Sequence, residues 1–438
     1  MFKAKAVLFF YQLITFLAGP LGMLFLMYKK RRDPPYGRRK WELLGFCPVN
    51  YRGCIWFHTV SVGEVIAARP VIEAFVKRHR KLTVIVTTTT TTGAAAAQRI
   101  PGVTHLYAPL DSPSALYRFF NAVKPRHLFI METELWPNLL NKCQKHRTHV
   151  TIFNARMPES TCKAYEKHLD LVKELIASKL NMVICQSPAD AERFERIGVP
   201  RERIFAVNSL KYDLKPDEQK FIKARAVKRL SGLKLVLGAI STHDGEEALV
   251  LAQYHEMIKA YPGLRLVLVP RHMSGADLAE AWLKEHPQLK AQRRTQSAPD
   301  LKDFNSQILI GDTIGEIEFY LGLCDVVFMG GSFIDIGGHN PLEPAYFSLP
   351  IITGPYYYNF KEQFERLIDV HGAFLCPESS RFAPLMVRLL SEGDTLSKAG
   401  LAALEVQQAG RGAVDKTLEL IEKSLLRPAG ESGQHHAD

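Results

Sequence analysis

The chain has 438 residues, 47% hydrophobic and 23% charged, a composition that excludes a disordered polyampholyte and exceeds one ordinary core, so two domains are expected. A net charge of +11 raises the possibility of nucleic-acid binding, but the first 40 residues carry nine Lys/Arg against one Asp and leave only +3 for the other 398, so a basic groove in the body is not implied and no nucleic acid is expected as a partner. Seven cysteines, at 47, 54, 143, 162, 185, 324 and 376, form no CxxC pair and no metal-ligand spacing, which fits a reducing compartment and neither a disulfide framework nor a metal cofactor.

Ala6 to Tyr28 is a run of 23 residues without a charge, followed by Lys29, Lys30, Arg31 and Arg32. The length suits a bilayer, and the basic cluster would hold the body on the cytoplasmic side. Residues 1–33 are therefore expected to be a membrane anchor. No small-x-small site precedes the basic cluster, which disfavours a cleaved signal peptide. Gly19-Pro20 would kink a spanning helix, so an interfacial or re-entrant segment stays open, as does an apolar helix docked on the protein itself.

After the proline-bearing joint "RRDPPYGRRKWE", strand-like and helix-like stretches alternate. "CIWFHTV", "LTVIVTTTT", "HLYAPL", "HLFIMET", "HVTIFNA" and "NMVICQS" read as strands. "GEVIAARPVIEAFVKRH", "GAAAAQRI" and "PADAERFERIGV" read as helices between or after them. The six threonines at 87–92 read as a strand end whose hydroxyls cap the next helix. A charged stretch near 212–232 marks a seam, after which "KLVLGAIS", "LRLVLVP", "SQILIG", "DVVFMGGS" and "PIITGP" repeat the pattern. Alternating strands and helices point to parallel sheets, hence to two doubly wound domains, 34–212 and 213–425. Such domains bind ligands at the carboxyl ends of their strands, here expected to face a shared cleft. The last helix is expected to pack back on the first domain, and 426–438 to be a disordered tail.

The densest chemical signal is "VFMGGSFIDIGGHNPLEPAYF". Gly330, Gly331 and Ser332 end a strand, where glycines could let a phosphate approach backbone N–H groups. Gly337-Gly338-His339-Asn340 precedes Pro341, so Asn340 reads as an N-cap at a helix start able to attract an anion, with Glu343 in the first turn placed for a ribose. There is no GxGxxG unit opening either domain, no P-loop, and no DxD pair to bridge a metal to a nucleotide sugar. A leaving phosphate would need cationic side chains or helix ends instead. Candidates at strand ends are Arg271 and His272; Lys211 at the seam; Ser241, Thr242 and His243; and the turn Ile314, Gly315, Glu316. In the first domain Glu64, with Ser61 and Gly63 beside it, starts a helix in "HTVSVGE". There a carboxylate is either an ordinary dipole-stabilised Glu or a base for a hydroxyl. A second acidic strand end holds Glu132 and Glu134. Acidic strand ends in one domain and a cationic nucleotide site in the other suggest glycosyl transfer.

Taken together, "HTVSVGE", "ETELWPN", "LKYD", "PRH", "TIGE" and "GGSFIDIGGHNPLEP" resemble, in this order and over nearly the whole chain, the 3-deoxy-D-manno-octulosonic acid (Kdo) transferases. The resemblance implies a GT-B fold of two Rossmann-like domains, CMP-Kdo as donor, lipid IVA as acceptor, and metal-independent inverting transfer at the cytoplasmic side of the inner membrane. It implies that 34–212 binds the acceptor and 213–425 the donor. It assigns Glu64 as general base and Glu134 and Lys211 as transition-state stabilisers. It assigns Arg271, His272, Ile314, Gly315, Glu316, Asn340, Pro341, Leu342 and Glu343 to the CMP site, with Ser61, Gly63, Ser241, Thr242, Ser332 and Gly338 as secondary candidates. A GT-B enzyme using a UDP-sugar, a nucleotide sensor without turnover, and a nucleic-acid binder remain the alternatives.

Overall fold

The computed structural model describes residues 2–29, 36–51, 53–302 and 304–426. The basic residues Lys30, Arg31 and Arg32, the start of the joint and the tail from 427 lie outside the described residues. The chain divides into two compact units. One runs through Leu214 and takes back the segment from Arg411; the other is Lys215–Gly410.

The first unit holds seven strands: β1 (Cys54–His58), β2 (Val84–Thr88), β3 (Val103–Tyr107), β4 (Pro125–Met131), β5 (His149–Ala155), β6 (Met182–Cys185) and β7 (Ile204–Ala206). They form one sheet in the order β3-β2-β1-β4-β5-β6-β7, and every paired ladder is parallel. Helices covering both faces explain why β1 and β2 read as unbroken apolar runs and are buried throughout. The order turns back between β1 and β4, so a crevice opens where the carboxyl ends of those two strands diverge.

The second unit repeats the plan with β8 (Leu235–Thr242), β9 (Leu264–Pro270), β10 (Ala291–Arg293), β11 (Ile308–Ile310), β12 (Val326–Met329), β13 (Ile351–Thr353) and β14 (Ala373–Leu375). Its order is β10-β11-β9-β8-β12-β13-β14, with the turning point between β8 and β12. The edge strands β7, β10 and β14 have three residues each. β7 (IFA) and β14 (AFL) are apolar but too short to stand out from a loop, and β10 (AQR) is polar, so the sequence does not announce them.

The final helix, Ala413–Leu425, packs in the first unit, with Leu418 and Ile421 in the core beside Val65 and Ile72. Asp213 fixes its start by accepting the N–H groups of Gly412 (2.8 Å) and Val414 (2.6 Å). The threonine run divides as its composition suggests: Thr87 and Thr88 complete β2, and Thr90 Oγ1 caps the helix Thr91–Ala97 by accepting the Gly93 N–H.

Phe2–Lys29 is one helix that continues through Gly19-Pro20. Among the described residues no helix is long and apolar enough to cross a membrane, which leaves a spanning anchor without support. The helix instead docks on the first unit by one face. Ala4 is buried, the Tyr11 hydroxyl donates to Asp111 Oδ2 (2.9 Å), and Asn138 Nδ2 donates to Thr15 Oγ1 (2.9 Å). The other face exposes Phe9, Phe10, Leu13, Ile14, Phe16, Leu17, Leu21, Leu24 and Phe25. This inverts the usual pattern of a surface helix, whose apolar stripe faces inward.

Candidate active site

In the first unit the sequence candidates gather at the β1/β4 turning point. Ser61 is the N-cap of the helix Val62–Arg78, and its Oγ accepts the Glu64 N–H (3.3 Å). Glu64 folds back over the same turn. Its Oε2 accepts the Val60 N–H (2.9 Å) and its Oε1 accepts the Ser61 hydroxyl (3.1 Å). This is close to a capping box, which explains why an S-x-x-E spacing opens the helix. Capping does not exhaust the carboxylate, because each oxygen has a further lone pair. With 8% of its surface exposed, the Glu64 carboxyl is pushed up to about 7, by burial first and then by the nearby charges of Glu132 and Glu134 against the two hydrogen bonds. Gly63 lies exposed in the same turn.

The β4 end supplies the other acids. Glu132 has a left-handed backbone (φ 57°), uncommon for a residue with a side chain and frequent where a site constrains the chain. Glu134 Oε2 accepts the Trp136 indole N–H (2.8 Å), and burial raises the Glu134 carboxyl from its ordinary value. The Trp136 ring leans on His58, 4.8 Å between centroids. His58 is fully buried at the end of β1, bonded to Thr87 Oγ1 (2.8 Å), and pushed down to about 3 by burial. It therefore stays neutral and acts as a prop beneath the Trp136–Glu134 pair.

Lys211 reaches the same cluster, with Nζ 3.9 Å from Glu132 Oε1. Burial lowers its ammonium, while Glu132 and Glu64 hold it up and Arg156 opposes them. Its turn, Leu210–Asp213, is pinned by a residue that the motif reading passed over. Asn154, at the end of β5 with φ 52°, accepts the Leu210 N–H on Oδ1 (2.9 Å). The only prior signal was a polar residue closing the apolar run "HVTIFNA". Glu64, Glu132, Glu134, Lys211 and Arg156 thus gather at the carboxyl ends of β1, β4 and β5, an arrangement suited to accepting a proton and stabilising separated charge.

In the second unit the glycine-rich loop is not the expected phosphate cradle. The buried Glu246, at the start of the helix Glu246–Ala260, accepts the N–H groups of Gly331 (2.6 Å), Ser332 (3.0 Å) and Phe333 (2.8 Å), and that of His243 (3.3 Å). A side-chain carboxylate fills the nest that a phosphate would have used. The Ser332 and Thr242 hydroxyls likewise bond within the protein. Ser332 Oγ donates to the Met329 carbonyl (2.6 Å) and accepts the Gly354 N–H (2.8 Å), and Thr242 Oγ1 donates to Glu247 (2.8 Å). Gly330 lets β12 approach β8, since a Cβ there would stand 2.5 Å from the Ser241 carbonyl oxygen. Ser241 itself is bent to φ 60° at that contact.

The helix after the loop also departs from expectation. It spans only Leu342–Tyr346, its N-cap position is Pro341, and Asn340 Oδ1 accepts the Leu342 N–H (3.2 Å) from one residue further out. Five residues make a weak dipole, so this helix start offers an anion little on its own. Asn340 Nδ2 also donates to Glu343 Oε1 (3.3 Å). Burial raises the Glu343 carboxyl, with Arg271 pulling the other way. That link brings the "PRH" and "HNPLE" segments together. Arg271 and His272 are exposed where β9 ends, and the Arg271 N–H donates to the Thr242 carbonyl (2.7 Å). Gly338 donates to the Gly331 carbonyl (2.8 Å).

The "TIGE" turn stands apart on exposed backbone. Ile314 is 91% exposed, Gly315 has φ 79° and offers its carbonyl to Lys220 Nζ (2.9 Å). Glu316 is bonded by the Thr313 hydroxyl (2.6 Å) and lies 3.5 Å from Arg294. Among the described residues no group of three or more His, Cys, Asp or Glu is arranged to hold a metal ion.

Comparison with known proteins agrees with the motif order. The family model of 3-deoxy-D-manno-octulosonic-acid transferase (kdotransferase) matches residues 35–214. The 3-deoxy-D-manno-octulosonic acid transferase of Haemophilus influenzae is 33% identical over 431 residues, covering 96% of this chain and 99% of that protein. The chain belongs to the Kdo transferase family. The Bordetella pertussis member is 30% identical, with 93% and 97% covered. Membership makes the protein a glycosyltransferase. Solved structures show the fold at lower identity. A glycosyltransferase from Rickettsia africae has TM-score 0.58 at 13% identity, covering 86% of this chain and 100% of its own. Anabaena Alr3699/HepE in complex with UDP has TM-score 0.54 at 14% identity, covering 85% and 99%. Both units are parallel-sheet α/β folds of the GT-B glycosyltransferase kind.

Proposed function

We propose that this Kdo transferase moves Kdo from CMP-Kdo to lipid IVA with inversion and without a metal ion, at the cytoplasmic face of the inner membrane. The observation that carries the reading is Glu64, a capped, nearly buried carboxyl raised to about 7 near Glu132 and Glu134, with Lys211 paired to Glu132. A base poised near neutral pH is best placed to remove a hydroxyl proton at working pH.

In this reading an acceptor sugar hydroxyl gives its proton to Glu64 as its oxygen bonds to the Kdo anomeric carbon. The bond from that carbon to the phosphate oxygen breaks, its electron pair stays with CMP, and attack from the opposite face inverts the centre. Glu134 steadies the positive charge that develops on the sugar. Lys211 offsets the departing negative charge. Arg271 supplies a cation and His272 a hydrogen-bonding ring for the CMP phosphate, and Asn340 and Glu343 supply polar contacts for the nucleoside, in place of a bridging metal. Ile314, Gly315 and Glu316 offer backbone groups to a base.

The outward apolar face of the helix Phe2–Lys29 suits a chain that lies on the membrane surface and takes its acceptor from the leaflet. The direct test is Kdo transfer by the purified full chain with chelator present, offering CMP-Kdo and UDP-sugars in competition. Transfer from CMP-Kdo that persists in chelator supports the reading. Use of a UDP-sugar, or loss of activity restored by a divalent cation, would contradict it.

A further inference from the structure

Two histidines lie where the second unit's strands end, and the reaction as read so far does not use them. His243 follows β8 and His339 precedes Asn340. Their Nε2 atoms are 2.8 Å apart, and the two rings lie nearly coplanar, 9° between planes and 5.1 Å between centroids. His272 sits edge-on to His243, 5.4 Å between centroids. Gly331 makes the room: its backbone is at φ 67°, and a Cβ there would press on His339 Cδ2 (3.2 Å) and His243 Cδ2 (3.4 Å).

A nitrogen-to-nitrogen contact this short holds one proton between the rings. Two neutral imidazoles meet this only as opposite tautomers, one donating from Nε2 and the other accepting there. One further proton can be added, at the Nδ1 of the donor ring, and the imidazolium so formed keeps the bond. A second added proton would break it. The pair is therefore built to carry a charge of zero or one.

The groups around it decide when. Arg271 and His272 face it from the end of β9, and Asp244 and the Glu246 carboxylate face it from the loop and helix start after β8. Glu343, on the short helix, is coupled to the same Arg271. Among the protein's own groups the balance disfavours a cation. Burial and then the neighbouring cations lower His243, and the same causes, with His243 itself, push His339 down to about 4. An anion placed beside Arg271 and His272 would reverse that balance.

We infer that the His243–His339 pair takes up one proton from solvent when the CMP phosphate binds and returns it when CMP leaves, so that the pair adds its charge to that of Arg271 only while the phosphate is present. The inference rests on the CMP site proposed above. His243 and His339 then act as positioning residues that adjust the charge of the leaving-group pocket, without contact to the transferred sugar.

The test is calorimetric titration of the detergent-solubilised full chain with CMP near pH 7, in buffers of different ionisation heat, with and without His339→Gln. Gln keeps an amide near the Nε2 position but cannot take the proton. Free CMP itself tends to release a proton on binding, because its second phosphate pKa is about 6, so net uptake points to the protein. The expected result is proton uptake by the native chain that His339→Gln removes. With it, CMP affinity should weaken from pH 6 to 8 by up to about tenfold per pH unit, and the variant should flatten that slope. CMP binding by the native chain without proton uptake overturns the inference and leaves the CMP site standing. Uptake that survives in both His339→Gln and His243→Gln also overturns it. Failure of the native chain to bind CMP overturns the donor site and the inference together.

Discussion

Glu64→Gln separates chemistry from architecture. The amide keeps both capping contacts, because its oxygen can accept the Val60 N–H and its nitrogen can donate to Ser61 Oγ. What it removes is a buried charge. Burial raises the Glu64 carboxyl from 4.5 to about 7 in the folded chain, so the fold binds this proton more tightly than the unfolded chain does. The native protein carries no penalty from Glu64 below pH 4.5. The penalty grows from there to about pH 7 and is complete above it. Full development corresponds to roughly 3 kcal/mol at 1.36 kcal/mol per unit, and about 2.5 kcal/mol of it falls between pH 5 and 8.5. Glu64→Gln should therefore gain stability over the native chain as pH rises across that window, by roughly 5–10 °C in the melting transition of the first unit. Over the same window transfer should fall by about 10²–10⁴-fold with CMP affinity kept. Differential scanning calorimetry of both proteins at the two pH values gives the answer. Parallel melting shifts would mean that Glu64 carries no buried charge, and full turnover in the variant would remove it from the mechanism.

The native pH profile follows from the same group: kcat/KM should fall about tenfold per unit below pH 7 and level off above it; a profile flat down to pH 5 would be inconsistent with Glu64 as base. Asn154→Ala should free the turn that carries Lys211, costing about 1–3 kcal/mol and lowering kcat/KM while CMP binding to the second unit is unchanged, which transfer kinetics beside calorimetry will show. Glu246→Ala should leave the N–H groups of Gly331, Ser332 and Phe333 without their acceptor and destabilise the second unit by about 1–3 kcal/mol for each that water does not reach, measured by urea unfolding. Replacing Phe9, Phe16 and Leu24 together by Ser should reduce co-flotation with anionic vesicles without lowering the melting temperature, because all three side chains are exposed; unchanged flotation would remove this face as the membrane contact.

The central strands were legible because parallel strands covered on both faces must be apolar along their whole length, as "CIWFH" and "VVFM" are. β7, β10 and β14 were not, because three residues, apolar in β7 and β14 and polar in β10, are too few to show a pattern, and the neighbouring ladder gives them their place. At the site, Glu64 was legible from S-x-x-E spacing at a strand-to-helix turn. The misreading of Gly331 and Ser332 has a specific cause. A nest of backbone N–H groups looks the same in sequence whether it awaits a phosphate or is closed by a carboxylate from 85 residues away, and Glu246 reaches it only through the pairing of β8 with β12. The same pairing brings His243 to His339 across 96 residues. The length of the apolar N-terminal run suggested a span, but the spacing of Ala4, Tyr11 and Thr15 along one side, which docks the helix on the body, is visible only once Asp111 and Asn138 are in place.

The most direct measurement is product mass spectrometry on the purified full chain given CMP-Kdo and lipid IVA, beside the Glu64→Gln protein under identical conditions. The account predicts lipid heavier by one or more whole Kdo units from the native chain and unmodified lipid IVA from the variant. Unmodified lipid from the native chain, or equal product from both proteins, would contradict it.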